Sequence, residues 1–279
     1  MTGEGMSRDI MTSDGMAGDG ATSDTVTETI DSFHRGRFHL VQPLGQGHRS
    51  GMDAMLLAAM VATDKGCTVA DLGAGAGAAG MAVASRLAQA EVLLVERSPL
   101  MAAFARRSIA LEENRALAAR MSVLEADVAL TGRARVAAGL ADASFDHVVM
   151  NPPFNDGSDR KTPDALKAEA HAMVEGLFET WIRTACAILR PGGQMSLIAR
   201  PQSIADIVAA CGRRFGGLEI TPLHPRPGEN AVRILVTAIK QSRARLTFRA
   251  PLIMHDAQGH RFSPFVDDLT NGRIAYRRK

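Results

Sequence analysis

The sequence predicts an α/β fold: a mostly parallel sheet of seven strands with helices on both faces. From Thr68 onward, short apolar runs alternate with Ala-rich segments of helical period. Such alternation makes parallel strand–helix–strand units rather than hairpins. The first apolar run ends in a glycine cluster and the fourth in two consecutive prolines. Ligands of such sheets bind where the strands end, at the carboxyl edge.

Taken in order, residues 52–61 read as an amphipathic packing helix with Asp53 near its start. Residues 69–72 form the first strand, and 78–88 a helix after the glycines. The second strand covers 92–96. A helix over 99–113 follows, with Ser98 as its N-cap and Pro99 at its first position. Residues 122–125 and 145–150 are the third and fourth strands. The fourth must end near Met150, because neither Pro152 nor Pro153 has an N–H to give a ladder and each fixes its own φ. A helical pattern over 164–189 stops at Arg190-Pro191-Gly192-Gly193. Then come a strand over 195–199, a helix over 204–215, and strands over 218–222 and 232–239.

Composition bounds the function classes. With 279 residues, 46% of them apolar and 22% charged, the chain can bury a sizeable core. Cys67, Cys186 and Cys211 are odd in number and far apart, which argues against a disulfide framework or a zinc ribbon and fits a reducing cytoplasm. No apolar run reaches the ~20 residues a bilayer requires, and no basic region followed by an apolar block marks an export signal. No His/Cys/Asp spacing argues for a metal. His171 and His224 read as surface or satisfied histidines, and Trp181 as core.

Charge is uneven along the chain. Residues 1–31 hold seven acidic groups and one basic group, Arg8, and read as a disordered acidic tail. A single domain is expected over 32–250, with a basic extension over 251–279 packed on it or trailing from it. Residues 240–279 hold nine basic groups and three acidic ones. Among them Arg243, Arg245, Arg249, Arg273, Arg277, Arg278 and Lys279 could face a polyanion such as RNA, with a salt-dependent affinity.

The glycine cluster, Asp71-Leu72-Gly73-Ala74-Gly75-Ala76-Gly77-Ala78-Ala79-Gly80, allows two readings. Its last six residues match GxGxxG, with Glu96 about 20 residues on, as a nicotinamide dinucleotide site would require. It also reads as D-x-G-x-G-x-G, which resembles the first motif of S-adenosylmethionine-dependent methyltransferases. A dinucleotide needs a helix N-terminus aimed at its pyrophosphate. S-adenosylmethionine instead carries a sulfonium and an ammonium that favour Asp71, a ribose diol that suits Glu96, and an adenine amine that suits Asp127 after the third strand. Three acids at three successive strand ends favour the second cofactor.

Asn151-Pro152-Pro153-Phe154 supplies the other half of such a site. An exocyclic amine on a ring is a poor nucleophile until its lone pair is localised. The Asn151 side chain and the Pro152 carbonyl could each accept one of its N–H groups. Prolines hold that carbonyl rigidly, and Phe154 offers a stacking face worth ~1–3 kcal/mol. Residues 155–163 read as a polar surface loop that could order around substrate.

Together these motifs resemble the amino-methyltransferases that modify exocyclic amines of nucleobases or a glutamine amide, which implies a Rossmann-like class I methyltransferase fold. The run from Gln42 through Gly47-His48-Arg49-Ser50-Gly51-Met52-Asp53 to Ala59 is similar to bacterial tRNA (adenine-N6)-methyltransferases acting on an anticodon-loop adenine of a valine tRNA. There the Gly-x-Asp turn closes over the methionine end of the cofactor, which assigns Gly51 and Asp53 to it. Phe154 stands where that family often has Tyr. The same turn resembles ribosomal-RNA guanine-N2 methyltransferases, so guanine N2, a glutamine amide or a small molecule stays open as acceptor. Outside this class stand an NAD(P)-dependent oxidoreductase and a non-catalytic RNA-binding module.

Overall fold

The computed structural model describes residues 27–44, 51–153, 176–256 and 261–279. A hairpin comes first: β1 (Glu28–Phe33) pairs antiparallel with β2 (Phe38–Pro43). The main sheet contains β3 (Cys67–Leu72), β4 (Ala90–Glu96), β5 (Met121–Glu125), β6 (Phe145–Met150), β7 (Leu189–Ala199), β8 (Phe215–His224) and β9 (Arg233–Lys240). Their spatial order is β8-β9-β7-β6-β3-β4-β5, and only β9 runs antiparallel to its neighbours. These are the seven strands expected. Two further two-residue strands, β10 (Thr247–Phe248) and β11 (Leu252–Ile253), pair with β8 at the outer edge.

Helices cover both faces. On one side lie α1 (Met52–Ala59), α2 (Ala78–Arg86), α3 (Pro99–Ala110) and the hairpin, sharing a core with the sheet. A short α4 (Arg115–Ala118) precedes β5 on this side and contributes Leu117 to the same core, while α5 (Gly132–Ala137) follows β5. On the other side α6 (Leu177–Ile188) and α7 (Ile204–Cys211) bury Phe178, Ile182, Ala185 and Ile207. Helix α3 starts as its sequence dictates, with Met101 N–H donating to Ser98 Oγ at 3.4 Å and Pro99 in the first turn. It stops at Ala110, because Leu111 is already extended. The Arg190–Gly193 turn is absorbed into β7 as an irregularity against β6.

Two expectations change. Helix α1 is not amphipathic: Ala54 through Ala59 are all buried. Its outer face is covered by the carboxyl-terminal segment, where α8 (Pro264–Thr270) packs on it and Tyr276 N–H donates to Ala59 O at 2.8 Å. The expected disordered tail reaches residue 31, yet Glu28–Asp31 form most of β1. Pairing with β2 satisfies their backbone, and Gln42 Nε2 donates to Asp31 Oδ2 at 2.7 Å. Residues 1–26, the first part of the expected 164–189 helix, His171 and the 155–163 loop lie outside the described residues. Among the described residues no helix is long and apolar enough to cross a membrane.

Candidate functional site at the carboxyl edge of the sheet

Register fixes what meets at the edge. Leu72 of β3 pairs with Val95 of β4 on one side and with Met150 of β6 on the other. The next positions are therefore Asn151, Gly73 and Glu96, side by side. Glu96 in turn aligns with Glu125 at the end of β5, two residues before Asp127.

The glycine loop is built for close approach. Gly73 and Ala74 N–H groups both donate to Val95 O, at 2.8 and 3.0 Å, so the turn is tied to β4. Gly73 has φ +69°, and a Cβ there would stand 2.3 Å from the Trp181 ring carbon Cη2. Trp181, which reads as core from the sequence, in fact has its ring against this glycine from α6. Gly75 has φ +56°, with only Met101 Cε within 4 Å of a would-be Cβ, so its backbone faces open space. At Gly77 and Gly80 a Cβ would collide with Leu94, at 2.7 and 2.3 Å; here glycine lets α2 lie on β4.

Each acid at the edge holds backbone, and Glu96 and Asp71 hold that of the glycine segment. Glu96, 9% exposed, accepts from Gly75 N–H at 2.9 Å through one oxygen and from Ser98 N–H at 2.8 Å through the other. Asp71, 3% exposed, accepts from Gly80 N–H at 2.8 Å. Burial pushes the Asp71 carboxyl up to about 7; the Gly80 bond pulls the other way, and the Glu96 charge adds to the rise. Asp127, half-buried after β5, accepts from Ala129 N–H at 2.8 Å.

This arrangement discriminates between the two cofactor readings. A pyrophosphate needs free N–H groups at the start of α2, but the Gly80 N–H is already given to Asp71. Two buried carboxylates beside the loop would also repel a polyanion. The same set suits a cationic ligand with a diol, because each carboxylate keeps lone pairs beyond its backbone bonds.

Asn151 follows directly on β6. Its side-chain oxygen Oδ1 is buried and finds no hydrogen-bond partner among the described residues. Pro152 is buried and Pro153 exposed. An orphaned buried acceptor costs ~1–3 kcal/mol, which a bound N–H donor would recover. Phe154 lies outside the described residues.

Asp53 and Gly51 stand apart from the glycine loop. Gln194 of β7, in register through His147 with Val69 near the start of β3, donates to Met60 O at 2.9 Å, so α1 runs from the carboxyl edge toward the amino edge. At its carboxyl-edge end Asp53 accepts from Arg233 Nε of β9 at 2.9 Å. Arg233 carries no signal in the sequence, since 180 residues separate it from its partner. Among the described residues no group of three or more His, Cys, Asp or Glu could hold a metal.

The basic extension is largely spent on the fold. Arg249 pairs with Glu219 at 3.3 Å and lies over the Tyr276 ring; Arg277 pairs with Asp64 at 2.6 Å. Arg273 pairs with Asp267 and Asp268, and Arg278 bonds Thr237 and Gly217 O. That narrows the expectation of seven polyanion-facing cations: Arg243, Arg245 and Lys279 are the exposed ones whose side chains enter none of these pairs.

Comparison with known proteins agrees with this geometry. A protein called a tRNA1(Val) (adenine(37)-N6)-methyltransferase from Porphyromonas gingivalis is 30% identical over 254 residues, covering 86% of this chain and 93% of its own. One of the same name from Shewanella loihica is 26% identical over 170 residues, covering 61% and 65%. A crystal structure from Agrobacterium tumefaciens described as a "predicted O-methyltransferase" is 64% identical, with TM-score 0.73, covering 81% of this chain and 99% of that one. The Thermus thermophilus 16S rRNA N2 G1207 methyltransferase, solved with AdoMet and guanosine, shares the fold at 23% identity and TM-score 0.51, over 77% of this chain and 50% of that one. The family model described as "Methyltransferase small domain" matches residues 50–220, from α1 through the glycine loop and Asn151 into β8, and the chain belongs to that family of methyltransferases.

Proposed function

We propose that this protein methylates an exocyclic amine of RNA, adenine N6 of a tRNA, with S-adenosylmethionine as donor. The observation that carries the reading is the buried Asn151 Oδ1, without a hydrogen-bond partner among the described residues and one register position from the glycine loop. When bound, S-adenosylmethionine supplies an electrophilic methyl group on a cationic sulfur. Glu96 would hold the ribose hydroxyls, Asp127 the adenine amine, and Asp71 the charge of the methionine end, over the backbone of Gly73, Gly75 and Gly77. Gly51 and Asp53, which the sequence assigns to that end, stand instead at the start of α1 with Asp53 paired to Arg233 of β9, and take no part in this reading of the cofactor site.

At the acceptor side, Asn151 Oδ1 takes one amine N–H and the Pro152 carbonyl the other. Both bonds pull electron density toward the nitrogen and keep its lone pair out of the ring, facing the donor. Pro152 and Pro153 hold that geometry without a supporting strand. Phe154 is assigned the stacking face from the sequence alone. An amide cannot take a proton, so this centre suits an amine nucleophile, which needs no prior deprotonation: as the methyl passed to nitrogen the donor would leave as a neutral thioether and the methylated nitrogen would release its extra proton to water, whereas a hydroxyl acceptor would require a base. That argument weighs against an O-methyl acceptor. Adenine N6 in tRNA is preferred over guanine N2 because relatives bearing that name align over most of the chain.

The test is transfer of labelled methyl from S-adenosylmethionine to RNA of cells lacking this protein, followed by digestion to nucleosides. Label in N6-methyladenosine of the tRNA fraction supports the reading; label in guanosine moves the acceptor; an unlabelled RNA pool overturns it. In the same assay Asn151→Ala should lower turnover by ~10²–10³, as removal of one transition-state hydrogen bond does. Its affinity for S-adenosylmethionine should stay within about twofold. Unchanged turnover would refute the role given to Asn151.

A further inference from the structure

The carboxyl edge holds a second concavity, on the far side of Asn151 from the glycine loop. Across the sheet the order is β8-β9-β7-β6-β3-β4-β5. The acids and glycines occupy β3, β4 and β5, and Asn151 ends β6. Beyond β7, a cavity of about 170 Å³ opens between the start of α1, the end of β8 and the start of β9. At ~10–15 Å³ per water-sized group, it has room for on the order of ten heavy atoms, the size of a purine.

Its walls suit a planar heterocycle. Leu223, Val232 and Met254 give apolar surface, and the His255 ring gives a flat one, held by stacking on Phe262 at 4.9 Å between centroids. At one end the Asp53 carboxylate and Arg233 guanidinium are joined at 2.9 Å, with side chains 22% and 31% exposed. Arg233 Nε is given to Asp53 and a terminal N–H to Val232 O at 2.9 Å, so what the pair presents to the space is the acceptor capacity of the carboxylate. Val232 stands at the mouth, 46% exposed, while its N–H is fixed to Leu223 O at 2.9 Å. Two strand spacings of ~4.8 Å separate the β6 and β9 ends, and adjacent nucleotides of an unstacked loop bridge such a span.

We propose that this cavity receives the base of the nucleotide next to the methylated one, so that the enzyme reads its RNA at two positions. The proposal rests on the RNA-amine reading above. Stacking and edge contacts there would fix the strand before the target amine meets Asn151, and the effect falls on KM. Base–aromatic contacts tolerate any base, whereas the Asp53 carboxylate, an acceptor, selects a base edge that carries a donor.

The experiment uses the full chain and the valine-tRNA anticodon stem-loop, intact or with the base 5′ or 3′ of the target adenine removed. With the unaltered protein, one of the two abasic RNAs should raise KM at least tenfold while kcat changes little. Val232→Trp, which plugs the mouth, should raise KM for the intact RNA by a similar factor and lose nothing further with that abasic RNA. Its melting temperature and S-adenosylmethionine affinity are measured alongside. Wild-type KM for both abasic RNAs overturns the proposal, and because that arm needs no variant it decides even if Val232→Trp misfolds. Equal losses for variant and wild type on the abasic RNA also overturn it. If the unaltered protein transfers no methyl to the intact stem-loop, the RNA reading itself has failed; transfer that ignores the neighbouring base removes the second position alone.

Discussion

Replacing Asp71 by Asn should make the protein less sensitive to alkaline pH. Asp71 is buried at the end of β3, and burial raises its carboxyl from an ordinary 3.8 to about 7. Between those values the unfolded chain has released this proton and the native state keeps it. The native state therefore binds more protons, and stability falls as pH rises through that window. From pH 5 to pH 7 the loss is two units at ~1.4 kcal/mol each, or roughly 3 kcal/mol. For a domain of this size that corresponds to ~6–12 °C in Tm. Asn keeps a carbonyl acceptor for Gly80 N–H and an N–H donor where the protonated carboxyl had O–H, but cannot ionise. Calorimetry of both proteins without cofactor, at pH 5 and pH 8, isolates the effect, because every other titrating group cancels in the difference. Asp71→Asn should gain on the wild type by that amount between the two pH values. Parallel Tm curves would refute the argument. A cationic ligand favours the ionised carboxylate, so wild-type affinity for S-adenosylmethionine should rise from pH 6 to pH 8 while that of Asp71→Asn stays flat.

Two further outcomes follow from particular contacts. The chain has a single tryptophan, and its ring lies against Gly73, so titration with S-adenosylmethionine should change the emission of Trp181; Gly73→Ala, which drives a Cβ into that ring at positive φ, should cost more than tenfold in affinity, and an unaltered emission would place the ligand elsewhere. Removing 276–279 strips the Tyr276 cover from α1, its hydroxyl contact with Thr221 at 3.0 Å and the Arg278 bonds, and should lower stability by ~3 kcal/mol in denaturant unfolding, whereas a loss under 1 kcal/mol would mean that the extension merely trails.

Legibility in the sequence followed the range of the interactions. Asp71, the three loop glycines, Glu96, Asp127 and Asn151 are each set by a strand end and the few residues after it, so periodicity and Pro/Gly chemistry locate them. Trp181 against Gly73 and Arg233 against Asp53 join residues more than a hundred positions apart, which no local pattern encodes. Helix α1 failed for the same reason: the segment that hides its outer face arrives more than two hundred residues later. The strands β10 and β11 are two residues long, too short to show a period, and are held by the exposed edge of β8 rather than by their own propensity. The charge run misled because a count of cations ignores partners. Glu219, buried on β8, gathers Arg249 and Arg278 from the extension, so a composition that suggests a polyanion instead reflects an internal acid.

The position of the Asn-Pro-Pro turn is itself a consequence of topology. The chain enters the sheet at β3, adds β4 and β5 on one side, then returns to place β6 on the other. The segment after β3 leads into α2 on one face, and the segment after β6 leads toward α6 on the opposite face. Gly73 and Asn151 thus stand side by side where the two connections part to opposite faces, which is where open parallel sheets bind ligands. Ordinary residues there would let Asn151 sample several orientations, at ~1–2 kcal/mol of backbone entropy per residue to be recovered on each binding event. Two prolines remove most of that freedom through covalent geometry alone, so the acceptor is held in place before any ligand arrives. The residue pair least suited to a strand is thus the one best suited to the edge where this strand ends.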